Sequence, residues 1–194
     1  MDKLKRVVIF LAAFVLSKGV TFLTPIIVSN IASVEEYGLV EYALSLGFML
    51  SAPISLGFHG AYPYFNLKLQ KEGYRSLYEA HCLFIFAIAV FFIFAYLGNG
   101  RPVFLGISIG VIVAIQMIKS SIQKTHERIQ IASVLDSGIY YAVSFFVLGL
   151  YLFNKSFRTS DLVIPLGLYL LLLFFWSLKD FLKTKKDWGF ARFE

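Results

Sequence analysis

A lysine stands near the middle of an apolar run long enough to cross a bilayer, residues 7–30, and small hydroxyl side chains accompany it at helical spacing. At 100° per residue, Ser17, Lys18, Thr21, Thr24, Pro25 and Ser29 all fall within about 140° of arc. Phe22, Leu23, Ile26 and Ile27 take the rest. A charge at bilayer depth costs roughly 2.5–3.5 kcal/mol on insertion scales, so Lys18 must face protein or water. An ammonium flanked by the hydroxyls of Thr21 and Thr24 suits an anionic ligand with polar neighbours. The plainer reading is close packing, with Ser and Thr bonding back to their own helix. That reading accounts for the threonines and leaves the lysine unexplained.

Three further residues have the chemistry to meet a polar ligand within an apolar chain. Glu41 opens the second apolar run and His59 lies near its far end, where an interfacial role competes with ligand contact for each. Asp136 falls about one turn inside the fifth run. It is placed either to pair with Lys18 or a loop base, or to sit at the positive end of a helix dipole. The remaining His, Cys, Asp and Glu residues have no metal-ligand spacing. No nucleophile elbow, phosphate-binding glycine loop or dinucleotide fingerprint is present. These absences argue against an enzyme and leave no cofactor to expect.

The elements that must position these residues are membrane helices. The chain of 194 residues is 58% hydrophobic and 15% charged, with a mean hydropathy of +0.74. A soluble domain of this size is closer to half apolar and a quarter charged. About 20 apolar residues make one span, and on that rule six are predicted, at about 7–30, 39–62, 80–97, 103–118, 133–153 and 162–178. The first is too long for the apolar core of a signal peptide. The predicted fold is therefore an all-α integral membrane protein with a six-helix unit over 1–183 and a tail or link over 184–194. The net charge of +6 suggests nucleic acid only until the basic residues are placed, because they cluster at the ends of spans. Fourteen Lys and Arg fall on one side and three on the other, which puts both termini in the cytoplasm of a cytoplasmic membrane.

The spans differ in character. The second is rich in small residues and breakers, among them Gly47, Pro53, Gly57 and Pro63, and an interruption of this kind often lines a transport site. The third and sixth are bulky and nearly free of polar groups, and read as walls facing lipid, with Tyr96 and Trp176 as interfacial anchors. The fourth is the shortest, borrowing Lys119 and Ser120 by snorkelling. It carries Gly106 and Gly110 at the spacing that permits close helix contact, and Gln116, a candidate for a bond to a neighbour. Cys82 reads as packing, and His126, beside Glu127 and Arg128, as a solvated loop residue.

Several of these residues carry a family resemblance. Lys18-Gly19, the turn Glu35-Glu36-Tyr37-Gly38-Leu39, and Ser55-Leu56-Gly57 followed by Tyr62 resemble the polysaccharide (O-antigen, Wzx-type) flippases. That family lies in the multidrug/oligosaccharidyl-lipid/polysaccharide exporter superfamily, with the lipid II flippases and the MATE drug exporters. The basic link over 119–136 fits the same pattern. The resemblance implies one lobe of a two-lobe transporter that turns undecaprenyl-pyrophosphate-linked oligosaccharide across the membrane by alternating access, drawing on a proton or sodium gradient. The residues expected to meet substrate are Lys18, Thr21, Thr24, Glu41, His59 and Asp136.

Six helices make one such lobe. The expected partners are therefore the lipid-linked substrate, membrane lipid, polysaccharide assembly proteins and a second six-helix lobe, with no nucleic acid. The second lobe belongs either to a longer chain or to another chain, unless the six helices are a remnant that moves nothing. Two alternatives stay open: a MATE-like cation-coupled drug exporter lobe, which predicts carboxylates deep among the helices, and a small non-transporting membrane partner protein.

Overall fold

A computed structural model describes residues 3–68, 75–153 and 156–184, and every element among them is helical. The predicted tail beyond 184 lies outside these residues, as do Lys71 and Lys155 of the charge count. Eight α-helices are described: α1 Lys3–Ile31, α2 Val34–Ile54, α3 Phe58–Pro63, α4 Arg75–Asn99, α5 Pro102–Thr125, α6 Ile129–Asp136, α7 Gly138–Leu152 and α8 Val163–Thr184. A π-helical turn, Tyr64–Lys68, extends α3, and a 3-10 turn, Thr159–Leu162, leads into α8. Five of the helical stretches are long and apolar enough to cross a membrane; α6 and α7, bent by 57° at Ser137, make a sixth if taken as one span.

Local chemistry explains where these helices depart from the predicted spans. Helix α2 starts at Val34, five residues early, because the Ser33 hydroxyl accepts the Glu36 N–H at 3.2 Å. Glu35 and Glu36 therefore lie in the first turn, at the positive end of the helix dipole. Glu41 does not open this helix; it sits two turns inside. At its other end α2 stops one residue after Pro53. Leu56 and Gly57 then both take positive φ, +50° and +70°, before α3 resumes. The second span is broken and not merely kinked, with glycine at the more strongly left-handed position. The Nε2 of His81 lies 3.1 Å from the Ile54 carbonyl and satisfies the exposed helix end.

Helix α5 is the axis of the molecule. The prediction made it the shortest span, yet it runs to Thr125, and its side chains from Leu105 to Gln123 are almost all buried. On one side its glycines accept α2. A Cβ at Gly106 would stand 2.8 Å from Leu46 Cδ2 and 3.1 Å from Leu46 Cβ, and one at Gly110 would stand 3.1 Å from the Gly47 carbonyl oxygen. The helix backbones meet because these positions carry no side chain. On other sides α5 packs against α4, α8, α3 and α6, while α1 lies outermost, against α6 and α7. The Gln116 amide oxygen accepts the Tyr169 hydroxyl of α8 at 3.2 Å, so Gln116 does bond to a neighbouring helix.

The outward faces suit lipid. Val15, Leu16 and Phe22 of α1, Phe91 and Phe94 of α4, and Leu172 and Phe175 of α8 are all exposed. The third and sixth spans are walls on that face only, because Cys82, Ile85 and Ala89 of α4 and Leu166, Leu170 and Leu173 of α8 are buried. Tyr96 is buried as well, so it is a core residue and not an interfacial anchor. At the end of the bundle where α2 begins, the Glu36 carboxylate accepts from the backbone N–H of Thr159 at 2.6 Å and from its hydroxyl. This clasp joins the start of α2 to the turn that leads into α8.

Candidate functional site

The polar stripe of α1 turns inward, toward α7 and the bend at Ser137. Thr21 Oγ1 lies 3.0 Å from both the Ser17 carbonyl oxygen and Ser137 Oγ. Thr24 Oγ1 lies 2.7 Å from the Val20 carbonyl oxygen and 2.6 Å from Ser144 Oγ. Buried Ser17 faces the Tyr141 hydroxyl at 3.4 Å. Each threonine thus bonds back to its own helix and across to the α6–α7 span, and in this arrangement their hydroxyls are engaged.

Lys18 differs from its neighbours in the stripe. Its side chain is exposed, its ammonium stands 5.8 Å from the Phe14 ring centroid, and it forms no ion pair among the described residues. It opens onto a cavity of about 210 Å³, room for roughly seven waters at bulk density. Ser17, Lys124, Ser133, Asp136 and Ser137 also line this cavity, with Phe10, Phe14 and Ile129 at its apolar wall. Asp136 is the last residue of α6, at the bend, and pairs with Lys124 at 2.8 Å rather than with Lys18. Both members of that pair are about half exposed. Among the described residues, two ammonium groups, one carboxylate and three hydroxyls line the cavity, one positive charge in excess.

A second, apolar groove of about 640 Å³ lies between the α6–α7 span and α8, lined by Leu135, Tyr141, Phe145, Pro165, Leu168 and Leu172 among others. Tyr141 joins the two spaces. The residue lines the groove while its hydroxyl meets Ser17 at the cavity wall. The bend therefore places a polar, cationic space beside an apolar one.

The six residues singled out in the sequence divide accordingly. Lys18 and Asp136 share the cavity, Thr21 touches its wall through Ser137, and Thr24 bonds one turn further along. Glu41 and His59 lie elsewhere. Glu41 is half-buried within α2, one turn along from Tyr37. His59 Nδ1 is 2.9 Å from Ser55 Oγ, and its carbonyl oxygen accepts from Ser121 at 2.5 Å across to α5. His126 is not merely solvated, since its Nε2 lies 3.2 Å from the Tyr62 hydroxyl.

Sequence reasoning overlooked a second constellation. Lys119 does not snorkel: it is fully buried, and its ammonium donates to Glu79 Oε2 of α4 at 2.5 Å and to Asp180 Oδ2 of α8 at 3.3 Å. Arg75 approaches the same Asp180 oxygen at 3.5 Å, and the Trp176 ring centroid lies 5.7 Å from the ammonium. Two cations and two anions thus join the ends of α4, α5 and α8. The available signal was a charge within the terminal turns of three separate apolar spans.

No protein-family model, curated protein or solved structure matches this chain.

Proposed function

We propose that this chain is one lobe of a membrane transporter that turns an anionic, lipid-linked solute across the cytoplasmic membrane. The class expected is an undecaprenyl-pyrophosphate-linked oligosaccharide, with both termini in the cytoplasm and a second lobe completing the path. The observation that carries this reading is Lys18: an ammonium in mid-span with no ion pair among the described residues, opening on a polar cavity that Tyr141 links to an apolar groove. An amphiphile with a pyrophosphate head and a hydrocarbon tail has matching parts. At about 4 Å two opposite unit charges attract by about 1 kcal/mol in water and about 4 kcal/mol at an effective dielectric near 20, so surroundings of lower dielectric than water strengthen the hold on phosphate. The serines at the cavity supply hydroxyl partners for sugar or phosphate oxygens.

The test is Lys18→Ala, with Lys18→Arg as its control, in cells that depend on this chain for surface polysaccharide. The alanine variant is expected to reach the membrane at normal levels, to abolish export and to leave lipid-linked precursor on the inner leaflet; the arginine variant is expected to retain export. Unchanged export in the alanine variant removes Lys18, and with it this reading.

One observation favours a second reading, a cation-coupled exporter lobe of the MATE kind. Glu41 lies two turns inside α2, a half-buried carboxylate within an apolar helix long enough to cross a membrane. That reading expects Glu41→Gln to stop efflux of a cationic dye from vesicles, a substitution to which the flippase reading assigns no such effect.

A further inference from the structure

The charged cluster at the ends of α4, α5 and α8 takes no part in the Lys18 cavity, and it has a feature that a static clamp does not require. Glu79 is fully buried and uses only one of its two carboxylate oxygens. Oε2 receives the Lys119 ammonium at 2.5 Å, while Oε1 is buried without a hydrogen-bond partner among the described residues. A desolvated acceptor with no donor is costly, and a buried carboxylate is tolerated only when it is well paired. The single ammonium is also divided, since Lys119 serves Asp180 at 3.3 Å as well as Glu79.

We infer that Glu79 is a site of reversible proton binding, and that the proton controls how firmly α4 is held to α5. The proton arrives from water at the open edge of the cluster, where the Asp180 and Arg75 side chains are 11% and 29% exposed. It binds Oε1, and the carboxylate becomes a neutral acid. Before binding, Lys119, Arg75, Glu79 and Asp180 sum to zero charge; afterwards the cluster carries +1. Lys119 then keeps its charged partner Asp180 on α8 and the Trp176 ring, and loses its charged partner on α4. The link between α5 and α8 persists while that between α4 and α5 weakens. The charged groups facing Glu79 are Lys119 from α5, Asp180 from α8 and Arg75 from its own helix, with the Cys82 thiol one turn further along α4. The inference holds whichever solute the chain moves.

Infrared difference spectroscopy on the full chain in lipid nanodiscs, stepped from about pH 9 to about pH 5, reads this directly. A carboxylic-acid carbonyl band is expected to appear as the pH falls, to persist in Asp180→Asn and to be absent from Glu79→Gln. Loss of the band in Asp180→Asn with retention in Glu79→Gln assigns the proton to the wrong carboxyl and overturns the inference. The absence of any Glu79-dependent change overturns it too, whether the carboxyl stays charged or stays protonated throughout. If Glu79→Gln fails to fold, Lys119→Gln supplies the decision. Removing the ammonium must move the midpoint of the band to higher pH, and an unmoved midpoint refutes the site.

Discussion

Replacing Lys119 by methionine separates a buried electrostatic tie from ordinary packing. The substitution keeps an unbranched chain of similar length and deletes the ammonium. Among the described residues Glu79 then has no cation partner in contact, and Asp180 keeps Arg75 at 3.5 Å. At a pH high enough to keep Glu79 ionised, removing one member of a buried pair costs about 3–5 kcal/mol, because the charge left behind is uncompensated. At about 2–4 °C per kcal/mol for a chain of this size, the midpoint of thermal unfolding should fall by roughly 6–20 °C. The molecule carries its own reporter: its single cysteine, Cys82, is buried in α4 one turn from Glu79. A thiol-reactive fluorogenic dye, added to the detergent-solubilised protein and heated, labels it only when α4 comes away. The double variant Lys119→Met/Glu79→Met removes both opposed charges and should be more stable than Lys119→Met alone, since replacing a whole buried pair by apolar groups is often neutral. A fall of less than about 2 °C in the single variant, or strict additivity in the double, refutes the electrostatic account.

Other perturbations should differ in size for stated reasons. Gly106→Val drives a branched side chain into Leu46 where α5 meets α2, and should cost about 1–3 kcal/mol by the same dye assay. Thr24→Val deletes the bond to Ser144 while keeping shape; interhelical hydrogen bonds in membrane proteins average about 0.6 kcal/mol, so the midpoint should fall by only about 1–2 °C. Lys124→Gln breaks the half-exposed pair with Asp136, worth about 0–1 kcal/mol, and its midpoint should stay within about 4 °C of the parent.

Much of this architecture was readable because its signals are local. Apolar length locates the spans, the Gly106/Gly110 spacing marks the helix contact, and Gln116 advertises a bond that Tyr169 completes. The breaks were harder. Pro53 signals trouble, but the chain stops at Ser55-Leu56-Gly57 because two successive residues take positive φ, which composition alone does not dictate. The bend at Ser137 has no proline at all. Least visible was the Lys119 cluster. Lys119 stands 40 residues from Glu79 and 61 from Asp180, and each residue alone looks like an ordinary charge at a helix end. Only packing α5 at the centre turns three interfacial charges into one buried constellation.

The position of α5 also has a consequence for how the chain is made. Synthesis reaches Glu79 first, then Lys119, then Asp180, so the charges that share the cluster enter the membrane in that order. When the fourth span leaves the ribosome, the carboxylate of the third is already available to neutralise its lysine. The partner on α8 lies 61 residues further on, which at about 5–20 residues per second is a delay of roughly 3–12 s. During that interval the most deeply buried helix of the finished protein holds its cation through Glu79 alone. A variant that lacks Glu79 and keeps Lys119 should therefore insert less efficiently as a nascent chain, a loss of yield separate from any defect in the mature fold.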